Sequence, residues 1–366
     1  MPEPLKNMFS QTFYTKFIEQ LQPIYPINSD QFFSILFDSA WEQKELKERL
    51  QHTAFALNQC IKGDYTTKID IITAYIHLYS QTANSNWMLN YMFFPQFIEM
   101  YGLHDYKTSI AAIETITQLS SCEFAIRPFI EKYPEQTMQQ MHTWAYHSHE
   151  HVRRLASEGC RPRLPWAKQL TQFRLDPSPI IPILDALKHD NSMFVRKSVA
   201  NNIHDISKDN PQIALELCKR WKQNSKTYRI IQHGLRTLLK QGNTTALELC
   251  NFQTPQEISC TKFAITSSLI TPLKPLEFTC EFAHYNKSSC VLRIEYCIYF
   301  LRSNGNYHKK VFRLKQSEFT PNTPYVLHKK HSFKPLTTRK HYSGIHYISI
   351  QINGKEFEKH AFNYNQ

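Results

Sequence analysis

Apolar residues recur every three or four positions through most of this chain and every second position near its end. The first period belongs to helices and the second to half-buried strands. Phe13, Phe17, Ile18 and Leu21 share one helical face, and so do Phe32, Phe33, Leu36 and Phe37 after a predicted cap at Ser29. Trp41–Ile61 predicts a longer amphipathic helix with Leu46, Leu50, Ala54 and Leu57 on one side. Lys68–Gln81, Asn86–Tyr101, Tyr106–Ser120 and Glu135–His147 continue the pattern, separated by turns such as Ile61-Lys62-Gly63-Asp64 and Lys132-Tyr133-Pro134-Glu135. Helical sequence runs on to about Lys262.

Within this region a pattern repeats. Val152-Arg153-Arg154-Leu155-Ala156 is echoed 43 residues later by Val195-Arg196-Lys197-Ser198-Val199-Ala200, and more loosely from Tyr228-Arg229. That spacing is typical of HEAT-type helix pairs, which stack into curved arrays. Asp176-Pro177-Ser178-Pro179 and Ile181-Pro182 interrupt the array, because proline starts helices or breaks them.

The pattern changes near Leu269–Pro275. Glu277–His284, Cys290–Arg302, Tyr307–Lys315, Tyr325–Phe333 and Ile345–Ile352 are rich in Val, Ile, Tyr and Phe, with breaks at Ser303–Asn306, Thr320–Pro324 and Asn353-Gly354. About seven short strands in so short a stretch predict an antiparallel β-sandwich of immunoglobulin-like type. No Trp lies beyond Trp221, so the antibody Cys–Trp–Cys hallmark is missing and only the architecture is expected. The expected fold is mainly α: a HEAT-like α-α superhelical repeat array over residues 1–268, followed by an immunoglobulin-like sandwich over 272–366.

Charge adds a partner to this picture. The net charge is +12 over 366 residues, distributed as −5 over Met1–Gln139, +9 over Gln140–Lys240, −1 over Gln241–Thr271 and +9 over Pro272–Gln366. Two basic blocks in two different folds are expected to face one anionic partner, such as nucleic acid. With 8 Gly the chain offers little for a glycine-loop nucleotide site. Nine Cys without a CxxC pair predict free thiols in a reducing compartment. Neither a signal-peptide core nor an apolar run of membrane-spanning length is present, so a cytoplasmic, membrane-free monomer is expected.

Glu3-Pro4-Leu5-Lys6-Asn7, the Trp41-Glu42 and Glu45-Leu46-Lys47-Glu48-Arg49 segment, Val152–Trp166 and Val195–Asp209 occur in an order that resembles the AlkC family of bacterial alkylpurine DNA glycosylases. The resemblance covers essentially the whole chain, β-domain included. The sister AlkD family has the helical array and lacks that domain. The resemblance implies HEAT-like repeats around double-stranded DNA carrying alkylated bases and an immunoglobulin-like domain needed for activity. It also implies excision of cationic lesions, chiefly 3-methyladenine and 3-methylcytosine, without flipping the base into a pocket.

Such chemistry calls for carboxylates near the positive charge that builds on the sugar as the glycosidic bond breaks. The family's acidic residues map onto Glu123, Glu158 and Asp205, with Trp166 as a stacking residue on the Arg161-Pro162-Arg163-Leu164-Pro165 loop. Each has a plainer alternative: Glu123 as a first-turn helix charge, Glu158 as a partner of Arg154 four residues back, Asp205 as a cap, Trp166 as an apolar anchor. Arg153, Arg154, Arg161, Arg163, Arg196 and Lys197 are candidate phosphate contacts, although Arg153 and Arg196 sit where HEAT pairs often hold an internal ion pair. In the β-domain the candidates are Lys309, Lys310, Lys329, Lys330, Arg339 and Lys340, the alternative being lysines that protect sheet edges. His147, His149 and His151 lack both HExxH order and Cys ligands, so neither metal nor cofactor is expected. Two other functions remain open: a non-catalytic HEAT-repeat DNA-binding protein and a protein-interaction scaffold.

Overall fold

The computed structural model describes residues 3–82, 89–222, 225–252, 258–267, 269–335 and 340–366. The chain forms two compact units, Met1–Asn210 and Pro211–Gln366.

The first unit is helical. Its α-helices include Gln11–Leu21, Ser29–Leu36, Leu46–Cys60, Tyr65–Thr82, Phe93–Tyr101, Tyr106–Ile116, Ile126–Lys132, Pro134–Trp144, Glu150–Glu158 and Met193–Asp209. They pack serially, as repeats do: Leu46–Cys60 on Phe93–Tyr101, Tyr65–Thr82 on Tyr106–Ile116, and Pro134–Trp144 and Met193–Asp209 on Glu150–Glu158. Phe17, Phe32, Tyr75, Phe93 and Phe94 bury a continuous aromatic core at the N-terminal end, with Phe17 meeting Tyr75 and Phe93 edge to face and Tyr75 tilted against Phe94.

Three local readings change. The cap of the second helix is Asn28 rather than Ser29, its side chain accepting from the Gln31 amide at 3.0 Å. Trp41 begins a 3-10 turn, and the helix starts only at Leu46, after Glu45. Asp205 is not a cap: its helix runs through to Asp209.

In the second unit the helices Pro211–Trp221, Tyr228–Gly234, Arg236–Lys240 and Thr244–Leu249 precede the strands. Helical sequence was expected to about Lys262, but strand β1 already spans Ile258–Ile265. Its pairing with β3 (Leu276–His284) contains a bulge between Cys260 and Lys262. The bulge breaks the period-two alternation and explains why the segment did not look like a strand. The remaining strands are β2 (Leu269–Ile270), β4 (Cys290–Leu301), β5 (Tyr307–Phe319), β6 (Tyr325–His331), β7 (Gly344–Ile352), β8 (Lys355–Glu356) and β9 (His360–Tyr364).

One sheet has the order β1-β3-β6 and the other β2-β9-β7-β4-β5, with β8 beside β7. Pairing is antiparallel except for the short β2–β9 contact, which is parallel. Phe278, Cys280 and Phe282 from the small sheet meet Ile294, Tyr296, Ile298, Ile348 and Ile350 from the large one in the sandwich core. The helices join this sandwich closely. Gln351 Nε2 donates to the Lys240 carbonyl at 3.0 Å, and a Cβ on Gly354 would lie 2.4 Å from the Gly242 Cα. Both glycines also have positive φ, so this backbone-to-backbone approach needs glycine twice over.

Candidate functional site

Glu123, Glu158 and Asp205 converge in the first unit. Glu158 ends its helix and is 5% exposed, while Asp205 lies on the partner helix and is 1% exposed. Arg161 sits between them. Its Nη1 donates to Glu158 Oε1 at 2.6 Å and its Nε to Asp205 Oδ2 at 2.9 Å. Ser198 Oγ donates to the other Glu158 oxygen at 2.5 Å. Glu123 precedes the Ile126–Lys132 helix rather than opening it, and accepts from Arg154 Nη1 at 2.8 Å. Arg154 Nη2 lies 3.6 Å from Glu158, so this guanidinium links the second pair of carboxylates. The result is one connected chain: Glu123, Arg154, Glu158, Arg161, Asp205.

Three carboxylates face two guanidinium groups in this chain, so a third cation is needed to balance it. Lys208 reaches Asp205 at 3.3 Å from the solvent side. Burial opposes the charge on Arg161, but Glu158 and Asp205 outweigh it and hold the guanidinium above its ordinary value. A buried, hydrogen-bonded carboxylate cluster of this kind is fixed before any ligand arrives.

The loop after Arg161 is equally constrained. Arg127 donates to the carbonyls of Gly159 and Arg161 at 2.9 Å each and to that of Lys168 at 2.7 Å. Burial pulls its guanidinium down to about 10. Trp166 lies in the strap so held, with φ of +65° and the residue 68% exposed. A bulky residue adopts that backbone only where its surroundings impose it. Lys47 Nζ supplies part of the constraint by donating to the Trp166 carbonyl. Beside the strap is a pocket of about 380 Å³, walled by Leu46, Leu50, Met92, Phe124, Leu170 and Trp166. Trp144 is 1% exposed, and its indole donates to Glu114 at 2.5 Å.

The cations divide into two groups. Arg161 is corrected from phosphate contact to internal partner, because it is 6% exposed and bonded to two carboxylates. Arg153 is corrected likewise: it grips Asp190 through Nε at 2.6 Å and Nη2 at 3.1 Å, and its Nη1 meets the His147 and Ser148 carbonyls. Arg163 is half-buried and paired with Asp209, whose carboxyl it holds down at about 2. Arg196 donates to the Asp190 and Asn191 carbonyls, while Lys197 is exposed. His149 caps the Glu150–Glu158 helix, and His151 Nδ1 lies 3.0 Å from the Gln118 carbonyl.

In the sandwich, Lys309 and Lys310 lie on β5 and Lys329 and Lys330 on β6, both edge strands. Lys309 pairs with Glu356 at 2.7 Å and Lys330 with Glu277 at 2.8 Å; Lys329 and Lys340 are exposed. Arg339 lies outside the described residues.

Sequence reasoning missed Arg127, Ser198, Asp190 and Asp209. Their signal was the repeat spacing itself. Arg161 and Asp205 are 44 residues apart, Arg163 and Asp209 46, and Glu158 and Ser198 40. A side chain's polar partner therefore sits about one repeat further along.

A helical repeat array carrying a buried carboxylate–guanidinium chain, followed by an immunoglobulin-like sandwich, defines the class. Residues 103–231, which contain Glu123, Glu158, Trp166 and Asp205, match the family model described as DNA alkylation repair enzyme, and residues 259–366 match that of the YhaZ C-terminal Ig-like domain. The chain is 37% identical over 353 residues to YhaZ of Bacillus subtilis (strain 168), covering 96% of each. It matches Pseudomonas fluorescens alkylpurine DNA glycosylase AlkC, solved bound to DNA containing an abasic site analog, with a TM-score of 0.92 and 31% identity over the full length of both chains. The chain belongs to the DNA alkylation repair family, in the AlkC branch that adds an Ig-like domain to the helical repeats. Among the described residues no helix is long and apolar enough to cross a membrane.

Proposed function

We propose that this protein is a DNA glycosylase that excises cationic N-alkylated bases, with 3-methyladenine and 3-methylcytosine as its lesions, by carboxylate-assisted hydrolysis of the N-glycosidic bond. The observation that carries this reading is the connected Glu123–Arg154–Glu158–Arg161–Asp205 chain, in which two guanidinium groups serve three carboxylates and the third positive charge comes from the displaceable Lys208. A cationic base is already a good leaving group, so the enzyme's task is to stabilise the positive charge passing to the sugar. The second oxygen of Asp205 meets Lys208 at 3.3 Å and lies 3.9 Å from His204 Nδ1, and displacement of that lysine by a cationic nucleotide opens it to the developing charge. One carboxylate about 4 Å from that charge is worth about 4 kcal/mol at an effective dielectric of 20, or about a thousandfold in rate. Glu158 orients Arg161, and Glu123 completes the field through Arg154.

Trp166, exposed on a fixed strap, offers its ring to the deoxyribose or to the cationic base. Arg196, bonded to backbone carbonyls, and the exposed Lys197 flank this region and, with the sandwich lysines, supply the attraction for phosphate. An open arrangement of this kind suits a lesion that stays stacked, recognised by its charge rather than by enclosure.

The test is incubation of the full-length protein with alkylated double-stranded DNA and chromatographic identification of the released bases. The proposal expects 3-methyladenine and 3-methylcytosine, with hypoxanthine left in place. Binding to DNA with no base released would favour a non-catalytic DNA-binding protein instead. The absence of salt-dependent DNA affinity would favour a scaffold.

A further inference from the structure

Cys260 and Cys280 lie far along the chain from the carboxylate site, in the small sheet of the sandwich. Cys260 is on edge strand β1 and Cys280 on β3, the central strand. Cys260 pairs with Phe282 in the ladder, which puts Cys280 on the same sheet face as its diagonal neighbour. The adjoining bulge distorts the ladder there, and the two Sγ atoms lie 3.7 Å apart. The remaining cysteines are all buried, as is Cys280, while Cys260 is only partly covered. This partly covered thiol therefore has one buried thiol in immediate reach.

We propose that Cys260 and Cys280 form a reversible oxidation site, in which peroxide converts the pair to an intrachain disulfide linking β1 to β3. The Cys260 thiolate attacks one peroxide oxygen; an S–O bond forms, the O–O bond breaks and hydroxide leaves. The Cys280 sulfur then attacks the resulting sulfenic acid. An S–S bond forms, the S–O bond breaks and water departs. Two thiols lose two electrons in all, and one hydrogen peroxide is reduced to two waters. The division of labour follows from the surroundings. The sulfur–sulfur contact lowers the Cys260 thiol toward its thiolate, while that contact and burial push the Cys280 thiol up. Exposed thiolates react and buried thiols do not. Closing the gap from 3.7 Å to the bond length of about 2.05 Å needs adjustment at the two side chains and the bulge. The bond would pin an edge strand that is otherwise held from one side only.

The test treats reduced full-length protein with one equivalent of hydrogen peroxide, blocks free thiols with N-ethylmaleimide, and maps the digest by mass spectrometry. The expected product is a peptide pair joined through Cys260 and Cys280, lost on treatment with dithiothreitol. In C280S, dimedone should trap a sulfenic acid at Cys260 with no cross-link. In C260S, Cys280 should stay reduced. Should C280S fail to fold, the iodoacetamide labelling rate of each cysteine in the unsubstituted protein decides: Cys260 is expected to react at least tenfold faster than the other cysteines. Sulfinic acid at Cys260 without a cross-link, or labelling of Cys260 no faster than of Cys122 or Cys160, would overturn the proposal.

Discussion

Replacing Arg161 with methionine keeps the aliphatic stem and removes the guanidinium. Two carboxylates, 5% and 1% exposed, then lose their shared cation while remaining out of water. Removing one member of a buried ion pair costs about 3–5 kcal/mol, most of it from the uncompensated charge left behind. Because Arg161 serves two carboxylates, the upper part of that range is expected near pH 8. The sign of the pH dependence follows. Buried carboxylates without a cation take up protons more readily in the folded variant than in its unfolded chain. The variant's stability is therefore greatest in acid and falls as pH rises, so its deficit against the unsubstituted protein should shrink from pH 8 to pH 5. The triple variant R161M/E158Q/D205N removes the stranded charges and should recover at least half of the loss. Urea unfolding followed by tryptophan fluorescence measures this, since Trp41, Trp87, Trp144 and Trp166 precede Asn210 and only Trp221 follows it. A loss below about 1 kcal/mol, or a deficit unchanged between pH 8 and pH 5, would refute the view of Arg161 as the keystone of a charged cluster.

Trp166→Ala should alter stability by no more than about 0.5 kcal/mol, because the residue is mostly exposed, yet lower base excision at least tenfold; equal excision would remove Trp166 from the site. Arg127→Gln should free the strap that carries Trp166, seen as faster limited proteolysis between Cys160 and Lys168 with DNA affinity retained, and unchanged proteolysis would contradict the bracing role. His331 is pulled down to about 4, chiefly by burial, so it folds as neutral imidazole. Its contribution is complete above the ordinary histidine pKa and is lost as pH falls from about 6.5 toward 4, by at most about 3 kcal/mol. H331N should flatten the acid limb of the sandwich's stability profile, and a limb of unchanged steepness would assign acid sensitivity elsewhere. K329Q/K330Q should weaken DNA binding and reduce the slope of log affinity against log salt by up to about 1.8, whereas an unchanged slope would mean these lysines only guard a sheet edge.

Much of the fold was legible because periodicity records burial directly. Phe13, Phe17 and Leu21 announce a helix, and the strand from Cys290 to Leu301 is bounded by Ser303–Asn306. The failures were local. Ser29 and Asn28 both suit a cap, and only the backbone shows that Asn28 takes the role. Strand β1 was hidden by its bulge and its exposed edge. Family resemblance pointed to the three carboxylates that converge, yet not to their partners, because an ion pair such as Arg161–Asp205 crosses from one repeat to the next. Arg153 and Arg163 show the same limit. A basic residue beside a groove looks identical in sequence whether it faces phosphate or, as here, an aspartate about one repeat onward.

On the proposed function, Asp205 supplies charge to the reaction rather than stability to the fold or affinity for DNA. The single-turnover rate of 3-methyladenine release by D205N on duplex DNA tests it most directly, alongside DNA affinity measured on the same samples. The account predicts a fall of about a hundredfold to a thousandfold in rate with affinity within about threefold of the unsubstituted protein. Excision at the unsubstituted rate, or a loss of rate matched by an equal loss of DNA binding, would contradict it.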